Sequence, residues 1–260
     1  MNLDDVGIAT IMNLVVDIGN TRTKIAFFEE NELVEKAIIE TGALGELSAA
    51  ISGQAIDGAI LSATGSDTEG VENFLKNHCP FVRFDHTTPI PIKNKYATPE
   101  TLGKDRLAAV VAAKTLFPKD NCLVIDAGTC LTYNFVTANN LFIGGNITPG
   151  LTMRLKAMHH FTARLPEIER NTEGVDFMQI IGTSTETALR TGAQVGILAE
   201  VEGFVARFMR NFGKIKVVLT GGDGEFIMKH VILSERYFER HLVLQGLNQI
   251  LNFNLKNISK

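Results

Sequence analysis

The hydrophobic positions of this chain gather into short runs that end in glycine turns. Met12-Asn13-Leu14 repeats the opening Met1-Asn2-Leu3 and leads straight into the apolar Leu14-Val15-Val16. Residues 1–11 are therefore expected to form an N-terminal extension outside the fold. The apolar run closes on Asp17-Ile18-Gly19-Asn20-Thr21. A second strand is predicted through Lys24 to Phe28, and the polar Glu29-Glu30-Asn31-Glu32 turns the chain into a third, giving a meander.

The same pattern returns further on. Asn121-Cys122-Leu123-Val124-Ile125 runs into Asp126-Ala127-Gly128-Thr129-Cys130, then comes a strand over 131–136, a turn at Asn139-Asn140 and a further strand from Leu141. The two aspartates lie 109 residues apart, which points to duplication of a whole domain and not to a solenoid repeat. The expected division is a first domain over 12–117 and a second over 118–260, cut near Phe117-Pro118.

Between the copies, a strand is predicted over 58–62 and a helix over 102–116. After the second copy, Thr183 and Glu186 have capping-box spacing, and apolar residues recur at helical intervals from Ala188 to Phe208. The helix they predict stops near Gly213. Gly192 and Gly196 share one of its faces, which suits either internal packing or a subunit interface. A last strand over 215–219 meets Thr220-Gly221-Gly222-Asp223-Gly224.

Composition narrows the class. With 260 residues, 45% hydrophobic and 21% charged, the chain has material for two modest globular domains. A net charge of −4 provides no basic field for a phosphate backbone, so nucleic acid is not an expected partner. No apolar run is long enough to cross a bilayer, so no membrane association is expected. Cys79, Cys122 and Cys130 make neither an even set nor a CxxC pair, and with no secretory signal they read as reduced thiols in a cytoplasmic protein.

The chemistry sits at the three glycine turns after Asp17, Asp126 and Thr220. Glycine lets the backbone present its N–H groups to phosphate, neighbouring hydroxyls donate to phosphate oxygens, and carboxylates hold a hydrated cation. One such turn would be explained as well by a solvated Asx turn; three in duplicate settings point to a nucleotide site. The chain has neither G-x-x-x-x-G-K-[ST] nor a full G-x-G-x-x-G after a strand, which excludes a P-loop or Rossmann reading. His159 and His160 are adjacent, point in different directions on a helix and cannot share a metal as an i, i+4 pair would.

These turns resemble the phosphate and adenosine elements of the actin-like ATPase superfamily, and within it the chain is similar to the type III pantothenate kinases. The resemblance is carried, in order, by Asp17-Ile18-Gly19-Asn20-Thr21, by Pro91 with Asn94 and Tyr96, and by Leu102-Gly103-Lys104-Asp105-Arg106. It continues in Asp126-Ala127-Gly128-Thr129, in 144–150 and in Thr220-Gly221-Gly222. It implies an α/β fold of duplicated, ribonuclease H-like actin-like ATPase domains, with mixed sheets flanked by helices.

By resemblance, the chain phosphorylates pantothenate in coenzyme A synthesis, using ATP with Mg²⁺ and a monovalent cation, potassium or ammonium. Asp17, Ile18, Gly19, Asn20, Thr21, Arg22, Thr23, Lys24 and Thr129 would bind ATP, and Asp126 the monovalent cation. Tyr96, Gly103, Lys104, Asp105, Arg106 and Thr185 would bind pantothenate, with Asp105 as proton acceptor. A homodimer is implied as well. Three small residues depart from the family pattern: Ala26 stands for a glycine, Cys130 for an alanine, and Ser184 for an asparagine. The rival readings are a sugar or acetate kinase on the same fold, and a non-catalytic accessory regulatory protein.

Overall fold

The first apolar run becomes a strand enclosed on both faces. β1 (Met12–Ile18) lies between an antiparallel neighbour, β2 (Arg22–Glu29), and a parallel one, and Leu14, Val15 and Val16, which point alternately to the two faces of the sheet, are all fully buried. The computed structural model describes residues 12–19, 22–41, 43–63, 65, 68–170 and 180–258; the expected extension over 1–11 lies outside them. The chain divides into two compact units, Met1–Ile92 with Ala97–Ala112 and Val243–Lys260, and Lys93–Tyr96 with Ala113–Leu242.

In the first unit the chain continues through β3 (Glu32–Glu40), α1 (Leu44–Ile51), β4 (Gly58–Ala63), α2 (Glu69–Lys76) and β5 (Phe81–Arg83). The sheet order is β3-β2-β1-β4-β5, with β4 and β5 parallel to β1. Glu30 turns the β2–β3 hairpin at a φ of 52°, in the left-handed region. Leu14, Val16, Ile25, Phe27 and Leu61 form the core with Leu47 and Ile51 of α1 and Leu75 of α2.

β6 (Lys93–Asn94) and then α3 (Lys104–Leu116) follow, the helix beginning in the first unit and ending in the second. The second unit holds β7 (Asn121–Ala127), β8 (Cys130–Val136), β9 (Leu141–Pro149), α4 (Leu151–His160), α5 (Thr185–Phe212), β10 (Ile215–Thr220), α6 (Gly224–His230) and β11 (Arg236–Phe238). Its sheet runs β11-β10-β7-β8-β9-β6. Without the short added β6 this is the first unit's order, with matching directions: β8 antiparallel to β7 and to β9, β10 and β11 parallel. The duplication read from spacing is thus a duplication of topology. β1 and β7 even share one burial pattern along seven residues, with the aspartate at the same place in each.

The compact units differ from the single cut near Phe117-Pro118 in one large respect. α7 (Leu242–Ile258) returns to the first unit. Asn13 Nδ2 donates to Asn248 Oδ1 and Asn252 Oδ1, both at 2.7 Å, and Asn248 Nδ2 donates to the Glu30 carbonyl at 2.7 Å. Gly246 lets α7 approach the α3 backbone: a Cβ there would lie 1.8 Å from the Ala108 carbonyl oxygen. This buried amide ladder joins residues more than 200 positions apart, and a sequence pattern cannot encode such a pairing locally.

Candidate functional site

Asp17 ends the buried stretch of β1, where the chain is about to turn. In the sheet it faces Lys24 on β2 and Ser62 on β4. The Lys24 ammonium is 3.9 Å from Asp17 Oδ2, and the Ser62 hydroxyl hydrogen-bonds the same carboxylate. Burial is the largest influence on Asp17 and raises its carboxyl above the ordinary 3.8; Lys24 and Ser62 oppose this, while the charge of Asp105 adds to it. The last effect is informative, since it places the Asp105 carboxylate within electrostatic reach of Asp17 in the same unit.

The turn after Asp17 closes with the Gly19 N–H donating to the Arg22 carbonyl at 3.0 Å. Of the expected ATP-binding run, Ile18 and Thr23 are buried, whereas Arg22 and Lys24 are exposed on the opposite side of β2. Asn20 and Thr21 lie outside the described residues.

Asp105 stands in the first turn of α3, where a carboxylate favours the helix dipole, and it is exposed. Its Oδ1 accepts the Arg106 N–H at 2.9 Å. Gly103 makes room for this geometry: a Cβ there would fall 2.4 Å from Asp105 Oδ1. Lys104 turns away from the acid. Its Nζ donates to the Ala63 carbonyl at 2.6 Å, and burial, with Arg83 nearby, lowers its pKa although Asp85 opposes. Ala63 pairs with Ile18, so the Lys104 head ties the start of α3 to the strand end beside the first aspartate turn. Arg106 is buried.

In the second unit Asp126 occupies the place of Asp17, and Thr220 on β10 faces it as Ser62 faces Asp17. A hydroxyl opposite each aspartate is a shared feature; Thr220 belongs to the third glycine turn of the sequence pattern, whereas Ser62 lies outside the motifs. The Gly128 N–H donates to the Cys130 carbonyl at 3.0 Å, closing the second turn one residue more tightly than the first. Gly221 has a φ of 87°, and a Cβ on it would meet Asp126 Oδ1 at 2.4 Å and the Ala127 carbonyl oxygen at 2.6 Å. The third glycine turn is therefore pressed against the second aspartate, as only glycine permits.

A cavity of about 770 Å³ opens beside these turns, lined by Gly128, Thr129, Met153, Lys156, His160, Phe161, Gly222 and Asp223 among others. Arg170, which also lines it, pairs with Asp223; burial pushes the Asp223 carboxyl up and Arg170 opposes. Lys156, His160, Arg170 and Asp223 were not singled out as ligands from the sequence. Asp223 follows the Thr220-Gly221-Gly222 turn directly, which was a usable signal, while the others had none. His159 is spent on the backbone, its Nδ1 2.8 Å from the Leu165 carbonyl oxygen.

Tyr96 packs its ring on Gly144, whose missing Cβ would lie 3.4 Å from the Tyr96 ring, and stacks at 6.2 Å on Phe142. Thr185 is the first residue of α5 and exposed. The capping box is formed by Ser184 and Thr187, one residue later than the Thr183–Glu186 spacing predicts, with the Thr187 N–H donating to Ser184 Oγ at 3.2 Å. Glu186 pairs instead with Arg190 at 2.8 Å. Ser184 is thus the N-cap, where serine and asparagine serve about equally well, which accounts for that departure from the family pattern.

Among the described residues no group of three or more His, Cys, Asp or Glu side chains is arranged to hold a metal. Asp126 Oδ1 and the Ala127 carbonyl oxygen lie together at the Gly221 turn, and the Gly128 and Thr129 carbonyl oxygens lie together at Gly150, with those of Ala127 and Thr129 also accepting the Asp223 and Gly150 N–H groups. An all-oxygen set with one formal charge fits a hard, singly charged cation and not a transition metal.

Two units with one strand order, each carrying an aspartate at the end of its central strand, define the actin-like ATPase fold. Solved structures agree on the fold. A Campylobacter jejuni protein described as a Baf family transcriptional activator superposes with a TM-score of 0.62 at 20% identity, over 94% of this chain and 99% of that one. A ROK family glucokinase from Streptomyces griseus, in complex with glucose and AMPPNP, gives 0.53 at 14% identity over 93% and 98%. The type III pantothenate kinase family model matches residues 13–207. A type III pantothenate kinase from Bacteroides fragilis is 45% identical over 94% of this chain and 98% of its own length. The chain belongs to the type III pantothenate kinase family.

Proposed function

We propose that this protein transfers the γ-phosphate of ATP to the primary alcohol of pantothenate, giving 4'-phosphopantothenate for coenzyme A synthesis, with Asp105 accepting the alcohol proton. The observation that carries the reading is the pairing, inside one unit, of a buried acid at a glycine turn with an exposed acid at a helix start within its electrostatic reach. Phosphoryl transfer asks little covalent chemistry of the protein: it requires positioned phosphates, neutralised charge and a carboxylate that can receive a proton.

In this reading the run from Asp17 to Lys24, with Thr129, grips the ATP phosphates. Exposed Arg22 and Lys24 supply charge, while buried Ile18 and Thr23 fix the turn from behind. The bound Mg²⁺ would neutralise phosphate charge beside Asp17. A potassium or ammonium ion would be held by Asp126 and neighbouring carbonyl oxygens. Gly103 keeps the Asp105 carboxylate in its orientation, and Arg106 with Tyr96 and Thr185 recognises pantothenate. Lys104 contributes by anchoring, since its ammonium is taken up by the Ala63 carbonyl. The protein acts in the cytoplasm as a homodimer through α5, without nucleic acid or membrane partners.

The test is an ATP-consumption assay with Mg²⁺ and potassium across pantothenate, common sugars and acetate. Turnover with pantothenate alone is expected, falling when sodium replaces potassium. Turnover with a sugar or acetate, and none with pantothenate, would overturn the reading.

A further inference from the structure

Four elements of the second unit converge on one carboxylate that none of the expected site residues includes. Glu200, in the middle of α5, accepts from the Tyr133 hydroxyl of β8 at 2.9 Å and from the Thr148 hydroxyl of β9 at 2.6 Å, both at Oε1. Its other oxygen, Oε2, pairs with the Arg154 guanidinium of α4. Both charged side chains are about one-fifth exposed, at 20% and 21%. Arg154 also spends its Nε on the Pro149 carbonyl at 2.9 Å. The network thus ends on the backbone of the Pro149-Gly150 joint.

That joint rests directly on the second phosphate turn. The Gly150 N–H donates to the Thr129 carbonyl at 3.1 Å. A Cβ on Gly150 would fall 2.3 Å from the Gly128 carbonyl oxygen and 2.6 Å from that of Thr129, so the two backbones touch with no side chain between them. Such a contact has no compressible layer, so a displacement of Pro149-Gly150 is passed on to Gly128 and Thr129.

We propose that Glu200 is a positioning residue for nucleotide binding: through Arg154 and Thr148 it sets the Pro149-Gly150 joint, and the joint sets the Gly128-Thr129 turn. The inference rests on the assignment of that turn to ATP. Burial works against the Glu200 charge, but hydrogen bonds from Thr148, Arg154 and Tyr133, with the Arg154 charge, hold its carboxyl below the ordinary 4.5. Tyr133 is pushed upward by burial and then by Glu200, so it stays a neutral donor. Glu200 is accordingly ionised at neutral pH, where its partners are held by a charged carboxylate.

Glu200→Gln keeps the shape while removing the charge that fixes Arg154. Its KM for ATP is expected to rise roughly tenfold, a sub-ångström fraction of the about 10²-fold effect that a full 1 Å misplacement can have. The KM for pantothenate should stay within about twofold, a split that general loosening of the fold would not produce. Thr148→Val should shift the ATP KM the same way by less. The double variant Glu200→Gln/Arg154→Met should lose less than the sum of the two single changes, since each alone strands the other's partly buried group.

These constants are measured beside titrations of a non-hydrolysable ATP analogue, with thermal unfolding as a check on folding; Thr148→Val and the double variant carry the test if Glu200→Gln does not fold. Unchanged analogue affinity and ATP KM in folded variants would overturn the positioning role, as would equal shifts for ATP and pantothenate. A wild-type protein that turns over pantothenate with ATP while the variants match it sinks only this inference. A wild-type protein that neither binds the analogue nor consumes ATP sinks the assigned function and this inference together.

Discussion

Asp105→Asn separates chemistry from folding. The asparagine retains an Oδ1 to accept the Arg106 N–H, which in the native protein is bound at 2.9 Å, and the exposed position leaves no cavity. Two charge effects remain and oppose each other. Losing a carboxylate in the first turn of α3 costs about 0.3–1 kcal/mol of helix-dipole interaction. Removing the Asp105 charge relieves the repulsion felt by Asp17 and returns part of that. The net change in stability should be under about 1 kcal/mol, or a shift in Tm of at most about 4 °C for a chain of this size.

The amide cannot receive the alcohol proton at neutral pH, and losing a general base lowers kcat by about 10²–10⁴-fold. The assay is steady-state ADP release with saturating ATP and pantothenate, beside a calorimetric scan of the same preparation. ATP affinity should hold, because the Asp17 turn is untouched. A variant with more than about a tenth of wild-type kcat would refute the proton-acceptor role. A variant that lost activity only because its Tm collapsed would refute the structural reasoning instead.

Lys104→Met removes the donor to the Ala63 carbonyl while keeping the apolar stem; it should cost about 1–2 kcal/mol in urea unfolding and raise the KM for pantothenate with little change in that for ATP. Asp17 has a carboxyl raised by burial, so in the folded state ionising it is costlier than in the unfolded chain and its ionisation lowers stability as pH rises from 3.8 through the folded value. Asp17→Asn should therefore gain stability over wild type across that acidic window and keep the gain at neutral pH, while ATP binding weakens, as urea titrations at several pH values and analogue binding would report. Gly246→Ala would drive a methyl to within 1.8 Å of the Ala108 carbonyl oxygen, a backbone contact that cannot yield by a rotamer change, and should cost about 3 kcal/mol or more by chemical denaturation. Ser184→Asn should be close to neutral in stability, whereas Ser184→Ala should cost about 1 kcal/mol through the lost cap on α5.

The duplicated strand-and-turn pattern was legible in the sequence because its causes are local. A β-branched or aliphatic run makes the strand, glycine makes the turn, and the acid stands between them, all within ten residues. Asp17, Asp126 and Gly221 accordingly sit where those patterns put them, at strand ends and turns. The stop of α5 was local too: Gly213 closes the helix at a φ of 75°. Its start shows where local reading weakens, since Thr183–Glu186 and Ser184–Thr187 offer the same spacing, and the extended backbone at Ser184 selects the second.

Other features depend on groups brought together from distant stretches of the chain. Ser62 faces Asp17 because β4 pairs in parallel with β1 in one register, and a shift of one residue would have turned it to the other face. α7 belongs with the first unit because its asparagines match Asn13 and Glu30 in space, although the chain order places it after the second copy. Glu200 gathers a tyrosine, a threonine and an arginine from 67, 52 and 46 positions away. Burial turns such distant meetings into fixed hydrogen bonds and shifted charges, and burial is a property of packed elements: the local order of residues makes the glycine turns, and packing selects the side chains that hold those turns still.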